Sequence, residues 1–287
     1  MAVMVSLLVA VPPLRRVVDE IGRMRPGWLC VAVVLEVASC CSFVVVFRLF
    51  FDRLPRATAR RLAWTEMGAG ALLPGGGIGS LAVGRWLLHQ AGMSRRRILE
   101  RSSGLFFLTS AASVGAMVAA GGLLLTGAVS GPHDLLRAGV PILAGIAVTA
   151  AVLAVPAARQ RSHHGAKQRW LGDLIDGIDT ALNALIRPTW RLLGAAGYLG
   201  LDIAVLWAAF TAAGRPPPVA ALALGYMIGY IANLLPIPGS TGVLDGGLTA
   251  ALIAYGAHAT QAAAAVLVYH AIAFWIPSLG GLWGYAL

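Results

Sequence analysis

Two long stretches of the chain, residues 102–132 and 138–158, contain no charged side chain. An α-helix needs about 20 apolar residues to cross the hydrocarbon core of a bilayer, so each stretch is long enough for a span. Residues 26–47 and 192–214 have the same character, with one carboxylate in each. Because backbone polar groups within lipid need internal partners, these runs predict helices. We therefore expect an all-α integral membrane protein, folded as a polytopic helical bundle.

The composition of the chain excludes a water-soluble enzyme. Hydrophobic residues make up 58% and charged residues 12%, whereas a soluble domain carries about 25% charged residues. The length leaves room for roughly six to eight spans and for no separate soluble catalytic domain. The net charge is +10, but Lys and Arg cluster between the apolar runs, where they would face anionic headgroups. These clusters indicate topology, and we expect no nucleic-acid partner.

The apolar opening of the chain, residues 1–11, resembles a span more than a signal peptide. Arg15 and Arg16 follow it, whereas a signal peptide carries its charges first. We interpret it as a short or truncated first span.

A segment at about residues 167–187 has helical amphipathic spacing. Apolar residues such as Ile175 and Ile178 recur on one face, and Asp176 and Asp179 lie opposite. This pattern predicts an amphipathic helix lying at the membrane interface.

Two apolar segments, at about residues 62–90 and 219–256, are interrupted by Leu-Leu-Pro followed by glycines. Proline and clustered glycine break a helix, and broken backbone at membrane depth is tolerated only where protein or a wet cavity satisfies its polar groups. The sequence therefore predicts two re-entrant helical hairpins with their tips at these motifs.

The distribution of basic residues orients these pieces. Basic loops at 48–61, 95–101 and 159–169 are placed inside, although the basic stretch at 15–25 then falls outside. Each half becomes a span, a hairpin and a span, and the two halves are inverted. The halves are 27–132 and 190–287, and the span at 138–158 connects them. Inverted repeats of this kind are typical of secondary transporters.

Several ionisable side chains lie within the apolar segments, where a charge at the bilayer centre costs roughly 2.5–3.5 kcal/mol and suggests function. They are Glu36, Glu66, Arg85, Asp202, Asp245 and His270. Arg85 follows the first tip by about 9 Å of helix, and its planar guanidinium suits a phosphate. Glu66 and Asp245 flank the two tips, where they could compensate charge or carry protons. His270 could assist either role near neutral pH.

A structural role competes with function for some of these residues. Glu66 could form an ion pair with Arg85. We expect Glu36 and Asp202 near span ends or facing neighbouring helices, and we favour a structural role for both. For Arg85 and Asp245 we favour function. The small-residue motifs at 225–229 and 280–284 predict close helix packing.

Four segments resemble a known family: residues 71–80, 84–88, 233–247 and 267–277. They resemble the flippase-like transmembrane region of the lysylphosphatidylglycerol synthase family, over most of the chain. The resemblance implies a protein that moves aminoacylated or otherwise decorated lipids between leaflets. It also implies relatives attached to, or working beside, polyprenyl-phosphate glycosyltransferases. The soluble aminoacyl-transferase domain is missing here, so the resemblance does not imply synthesis of lysyl-lipid.

The predicted substrate-binding or transport residues combine the intramembrane charges with these motifs. They are Glu66, Pro74, Gly75, Gly76, Gly77, Arg85, Asn233, Pro236, Pro238, Gly239, Asp245, Tyr269 and His270. Two of them depart from the family pattern, because His270 stands where Arg is common and Asp245 where Glu is common. A fixed positive charge is thereby replaced by one that depends on pH.

The sequence predicts a flippase of the bacterial cytoplasmic (inner) membrane. An anionic or aminoacylated phospholipid, or a polyprenyl-phosphate-linked lipid, would present its headgroup to a hydrophilic cavity at the two tips. Arg85, helped by His270, would hold the phosphate. We expect no cofactor and no metal, because the chain has no P-loop or zinc motif.

Two other classes of function stay open at this point. One is a non-transporting membrane subunit that docks a glycosyltransferase or lipid synthase. The other is an intramembrane enzyme acting on lipid through Asp245 or Glu66. The lipid, the direction of movement and a homo-oligomer are also left open.

Overall fold

The computed structural model describes residues 12–73, 77–161, 169–232 and 240–286, and its regular elements within them are helices. The α-helices are α1 (Pro12–Gly22), α2 (Pro26–Phe50), α3 (Arg56–Leu72), α4 (Gly77–Gln90), α5 (Arg95–Leu125), α6 (Val140–Arg161), α7 (Arg169–Ile186), α8 (Leu193–Ala213), α9 (Val219–Ala232), α10 (Ser240–Ala254) and α11 (Ala259–Ala286). A π-helical turn, Leu135–Gly139, leads into α6. A 3₁₀ turn, Trp190–Leu192, leads into α8. The apolar opening at residues 1–11 lies outside the described residues.

Five helical segments of the described chain are long and apolar enough to cross a membrane. They are Pro26–Phe50, Arg95–Leu125, Leu135–Val152, Trp190–Ala213 and Ala259–Ala286. The predicted all-α, multi-pass membrane architecture is confirmed. Within the described residues, the four shorter helices of the two Leu-Leu-Pro segments take up apolar sequence that would otherwise form further spans.

The span predicted at 102–132 forms with shifted ends. The basic residues 95–101, which we predicted to lie in a loop, instead form the first two turns of α5. The helix ends before Gly127, which has a φ of 69°. The N–H of Ala128 donates to the carbonyl of Leu123 at 3.1 Å, the hydrogen bond of a Schellman cap. A left-handed glycine therefore ends this helix before the apolar run is exhausted.

The first Leu-Leu-Pro segment forms an antiparallel helical hairpin, with α3 packed against α4. A Cβ built on Gly79 would lie 2.7 Å from the Cβ of Leu73, and one built on Gly84 would lie 2.6 Å from Oε2 of Glu66. Residues farther from the turn on one arm thus contact residues farther from it on the other, as expected for an antiparallel pair. Residues 74–76 at the tip lie outside the described part of the chain.

The second Leu-Leu-Pro segment forms a matching antiparallel hairpin from α9 and α10. A Cβ built on Gly225 would lie 2.9 Å from Cδ2 of Leu252, and one on Gly229 would lie 2.6 Å from Cα of Leu248. The motif at 225–229 therefore packs helices, as predicted. Residues 233–239 at this tip lie outside the described ranges.

Both hairpins have arms that are shorter than a membrane span. The arms contain 17 and 14 residues in the first hairpin and 14 and 15 in the second, which is about 21–26 Å at about 1.5 Å per residue. The hydrocarbon core is about 30 Å thick. This length is compatible with re-entry into the membrane, which stays a prediction.

The amphipathic segment forms α7, close to its predicted bounds. Ile175 and Ile178 are buried, whereas Asp179 is exposed. Asp176 forms an ion pair with Arg96 of α5 at 3.2 Å. The apolar face therefore packs against protein, and the interfacial position of the helix stays a prediction.

The chain divides into two compact units. Unit 1 comprises residues 1–36, 119–142 and 201–273, and it contains the second hairpin. One buried apolar cluster of its described residues is formed by Val17, Met24, Ala212 and Ala264.

Unit 2 comprises residues 37–118, 143–200 and 274–287, and it contains the first hairpin. Its core is built around Phe47, Phe50 and Phe51, with Leu88 of α4 packed among them. The rings of Phe47 and Phe51 stack with centroids 4.4 Å apart.

Glycines bring the last turns of α11 against α3 within unit 2. A Cβ built on Gly68 would lie 2.8 Å from Cα of Gly281 and 2.8 Å from the carbonyl oxygen of Pro277. A Cβ on Gly280 would lie 2.3 Å from Cε3 of Trp64. The small-residue motif at 280–284 thus allows close backbone approach, as predicted.

Substituting Gly68 with alanine is expected to destabilise the protein, because the added methyl group meets backbone atoms that cannot rotate away. Overpacking of this kind costs about 1–3 kcal/mol. Thermal unfolding in detergent should show a lower Tm for Gly68→Ala than for the wild type. Gly115→Ala is the matched control, since nothing lies within 4 Å of that Cβ position. Equal Tm values for the two variants would contradict this packing.

Candidate functional site

In unit 1, two tyrosine side chains from different helices meet at the carboxylate of Asp202. Asp202 lies on α8, and its Oδ2 accepts hydrogen bonds from Tyr226 of α9 and Tyr269 of α11. The Tyr269 bond measures 2.9 Å, and the two phenol oxygens lie 3.3 Å apart. Both tyrosines are buried, with 4% of their surface exposed. The phenols therefore supply the hydrogen bonds that water would otherwise give to this carboxylate.

Two further titratable residues complete this group, which we call the carboxyl cluster: Glu36, Asp202, Tyr226, Tyr269 and His270. Glu36 on α2 and His270 on α11 lie near the Asp202 carboxylate. Glu36 is 5% exposed, whereas His270 is partly exposed. The rings of Tyr269 and His270 have centroids 5.1 Å apart.

Aromatic and polar contacts hold the helices of the cluster in register. Trp28 of α2 packs edge-on against Trp207 of α8, with ring centroids 5.4 Å apart. Gln261 of α11 donates to the carbonyl of Arg215, just beyond α8, at 2.9 Å. Because both contacts join antiparallel helices, the side chains further along face one another. Glu36 and Tyr269 are brought to Asp202 in this way.

The carboxyl cluster lies in the middle of its helices. Glu36, Asp202 and Tyr269 follow the first residues of α2, α8 and α11 by about 14–15 Å, at about 1.5 Å per residue. Of the two placements predicted for Glu36 and Asp202, near span ends or facing neighbouring helices, the structure shows the second. The structural role that we favoured for them stays a prediction.

The cluster combines predicted and unpredicted members. Tyr269 and His270 were candidate site residues, whereas Glu36 and Asp202 were assigned a structural role. Tyr226 was missed, since it lies within the motif at 225–229 that indicated only packing. The available signal was its phenol, which needs a partner when it is buried in an apolar helix.

Glu66 is the buried carboxyl of unit 2, with 7% of its surface exposed. Its carboxyl lies over Gly84 of α4, where the absence of a side chain makes room for it. Arg85 is exposed. Between these two described side chains the structure records no ion pair, so the alternative in which Glu66 pairs with Arg85 is not observed. Helix geometry explains this, because Gly84 and Arg85 point about 100° apart at about 3.6 residues per turn.

A cleft of about 590 Å³ opens in unit 2, and Thr65, the residue before Glu66, lines it. Its walls come from α3, α4 and the end of α11, and they combine apolar surface with hydrogen-bonding groups. The polar and aromatic lining residues are Thr58, Arg61, Thr65, Trp86, Gln90 and Tyr285. This composition suits a ligand that has both a polar head and an apolar body.

Most of the predicted tip residues fall outside the described ranges. These are Pro74, Gly75 and Gly76 at the first tip, and Asn233, Pro236, Pro238 and Gly239 at the second. Gly77 begins α4, and Asp245 belongs to α10, but the Asp245 side chain is not among those described. Their part in a site stays a prediction.

The described residues contain no group of three or more His, Cys, Asp or Glu side chains arranged to hold a metal ion. The carboxyl cluster instead offers a carboxylate and two phenols joined by hydrogen bonds, with the imidazole of His270 packed against the ring of Tyr269. Such an arrangement can bind a hydroxyl or ammonium group at its carboxylates.

The Glu66–Gly84 contact predicts an energetic coupling between the two positions. Gly84→Ala should lower the Tm, because its methyl group displaces the Glu66 carboxyl. In Glu66→Ala the same glycine substitution should be tolerated, since the side chain that it displaces is gone. Thermal unfolding of the two single variants and the double variant should give a coupling of roughly 1 kcal/mol. Additive effects would show that the two residues do not touch.

Comparison with known proteins agrees with this architecture. No curated protein matches the chain. The family model described as the lysylphosphatidylglycerol synthase TM region matches residues 1–281, which is nearly the whole chain of 287. With its apolar spans and its paired helical hairpins, the chain belongs to the lysylphosphatidylglycerol synthase transmembrane-region family, whose description indicates a membrane lipid-related role.

Proposed function

We propose that this protein is a flippase of the bacterial cytoplasmic membrane. It moves an anionic or aminoacylated phospholipid, or a polyprenyl-phosphate-linked lipid, between leaflets. The family supports a role connected with membrane lipid. Movement of the lipid is our inference from the site.

The observation that carries the proposal is the mid-helix position of the carboxyl cluster. Ionisable groups at this depth cost roughly 2.5–3.5 kcal/mol each and are retained mainly where they serve a pathway. A headgroup that crosses the apolar core must exchange its water for other hydrogen-bonding partners. Asp202 and Glu36 supply acceptors for hydroxyl or ammonium groups. The partly exposed His270 supplies a donor for phosphate.

The cleft of unit 2 is a second candidate site for the lipid headgroup, which supports the same proposed function. Arg61 lines it, and Arg85 is exposed beside the lining residue Trp86. A guanidinium binds phosphate with two parallel hydrogen bonds. Trp86 and Tyr285 are amphipathic aromatics of the kind found at headgroup depth. In our proposal this cleft receives a phosphate headgroup while the acyl or prenyl tails stay in the bilayer.

The order of elements supports a transporter with two related halves. The sequence span, hairpin, span occurs first as α2, α3–α4 and α5, and again as α8, α9–α10 and α11. Basic residues flank the first hairpin, whereas the connections that flank the second are nearly uncharged. This difference suggests that the halves are inverted, with both hairpins re-entrant. Many secondary transporters bind substrate at such broken helices.

Leaflet exchange in liposomes tests the proposal directly. Purified protein is reconstituted with fluorescent phosphatidylglycerol, phosphatidylethanolamine or polyprenyl-phosphate analogues, and a membrane-impermeant quencher reports the outer leaflet. We expect exchange above protein-free liposomes for one lipid class. Asp202→Asn should slow it at least about tenfold, equivalent to about 1.4 kcal/mol in the barrier. Arg85→Ala should also slow exchange.

Matched control variants distinguish a specific effect at the site from a general loss of protein stability. Asp179→Asn removes an exposed carboxylate on α7. Tyr255→Phe removes a buried phenol of unit 1, which donates to the carbonyl of Arg137 at 2.6 Å. Both should keep the wild-type rate, whereas Tyr269→Phe should not. Folded wild-type protein without exchange would overturn the proposal. Copurification of one stoichiometric synthase or glycosyltransferase would then favour the docking subunit, and lipid product formed by the isolated chain would favour an enzyme.

His270→Arg tests the role of His270 in headgroup binding. Because arginine restores a fixed positive charge, it should retain or strengthen binding of the transported lipid and make that binding less dependent on pH. Native mass spectrometry across a pH series measures this. His258→Arg is the control, since His258 is exposed on the chain between α10 and α11. Loss of binding in His270→Arg alone would remove His270 from the site.

A further inference from the structure

The cleft of unit 2 lies toward the base of the first hairpin, away from the Leu-Leu-Pro tip. It begins at Thr65, next to the Glu66–Gly84 contact, and extends to Thr58 in the first turn of α3 and to Gln90, the last residue of α4. From Thr65 to Thr58 this is about 10 Å of helix at about 1.5 Å per residue. In the re-entrant arrangement proposed above, the tip is the deep end of the hairpin, so the cleft opens toward the headgroups.

Arginines are concentrated at the base of this hairpin. Residues 51–61 and 89–101, which flank it, contain eight arginines and two carboxylates. The two segments lie together, because Ala59 of α3 and Ile98 of α5 belong to one buried cluster. Seven of the eight arginines are exposed, and Arg101 is half-buried.

The carboxylates that the described contacts place at this base are fewer than the arginines. Asp176 of α7 pairs with Arg96 at 3.2 Å, and Glu100 lies 3.7 Å from Arg101. The third, Asp52, is exposed. The base of the hairpin therefore keeps an excess of positive charge, which attracts anions to the cleft beside it.

The lining of the cleft has the same sign of charge. Among its described lining residues Arg61 is charged and none is acidic. Glu66, which follows the lining residue Thr65, has its carboxyl buried over Gly84. The amide of Gln90 adds neutral hydrogen-bond donors.

The aromatic wall of the cleft suits a lipid. Trp86 is 49% exposed and Tyr285 is 63% exposed, and both line the cleft. Such side chains sit at headgroup level in membranes, with an apolar ring and a polar edge. A headgroup can therefore occupy the cleft while its tails stay in hydrocarbon.

The charge of the headgroup decides how well it fits. A phosphate anion gains from the surrounding arginines and from hydrogen bonds with a guanidinium. An aminoacylated headgroup brings an ammonium to the same place, where no described lining carboxylate accepts a hydrogen bond from it. Placing like charges together is an effective way to suppress binding of the wrong partner.

We propose that the cleft of unit 2 is a selectivity site for anionic headgroups, which admits a phosphate-bearing lipid without an amine and rejects its aminoacylated form. The step from binding to transport rests on the flippase function proposed above, whereas the selectivity of the cleft does not. Among the lipid classes considered for transport, the site favours an anionic phospholipid or a polyprenyl phosphate.

Competition binding to the full chain in detergent, read by native mass spectrometry, tests the selectivity without any transport. The probes are phosphatidylglycerol and lysylphosphatidylglycerol with identical acyl chains. We expect phosphatidylglycerol to bind at least about tenfold more tightly, because the lysyl group reverses the charge of the headgroup. Polyprenyl phosphate, which carries its anion on a different tail, should also bind more tightly than the lysyl lipid.

Two further probes separate charge from size and lipid from free headgroup. Lysylphosphatidylglycerol with both amines acetylated keeps the bulk of the lysyl group and loses its positive charges, so it should bind about as tightly as phosphatidylglycerol. Soluble glycerol phosphate at the same concentration should leave the lipid bound, because it lacks the tails.

Variants of the lining residues assign the selectivity to the cleft. Gln90→Glu places a carboxylate in the lining, so it should weaken binding of phosphatidylglycerol and strengthen binding of the lysyl lipid. Asn183→Asp is the matched control, since it adds the same charge at an exposed position of α7 that does not line the cleft. Arg61→Gln should weaken phosphatidylglycerol binding. Thermal unfolding identifies any variant that fails to fold.

The outcomes distinguish this inference from the proposed function. Equal binding of the two phospholipids overturns the selectivity site, whether or not lipid exchange is found in liposomes. Weak binding of the acetylated lipid overturns its basis in charge, and displacement by glycerol phosphate overturns its assignment to a lipid. Selectivity that Gln90→Glu leaves unchanged overturns its placement in the cleft. Selectivity that is reduced in Gln90→Glu and kept in Asn183→Asp supports the site, even where an absence of exchange removes the flippase function.

Discussion

A carboxyl group in the middle of a membrane helix must find its hydrogen-bond partners within the protein. Asp202 finds them in two tyrosines from different helices. Satisfying one acidic side chain therefore fixes α8, α9 and α11 relative to one another where they meet in unit 1. The cost of an unsatisfied group in hydrocarbon is several kcal/mol, which is why such a cluster specifies its helix arrangement.

Close contacts at glycine residues also fix the positions of helices. In lipid, apolar surface gains little from meeting other apolar surface, so helices associate through close packing. Gly68 and Gly281 bring α3 and α11 together in unit 2, and Gly225 and Gly229 close the second hairpin in unit 1. These contacts position hairpin arms that are too short to cross a bilayer. At another glycine, Gly84, the missing side chain leaves space for the carboxyl of Glu66.

Membership of the lysylphosphatidylglycerol synthase transmembrane-region family connects these features with membrane lipid. The two polar regions differ in chemistry. The carboxyl cluster of unit 1 is acidic and phenolic, whereas the cleft of unit 2 has arginine, amide and aromatic groups.

The sequence by itself determined the helical membrane class, the approximate spans, the two breaks at Leu-Leu-Pro and the family. Each of these depends on local composition or on the length of an apolar run. Only the tertiary structure decided which charges meet. Glu36, Asp202 and Tyr226 are far apart in sequence, and their encounter depends on the register of packed helices. For the same reason the Glu66–Arg85 pair, plausible from proximity in the chain, does not form: helix geometry turns Arg85 outward while Gly84 receives the carboxylate.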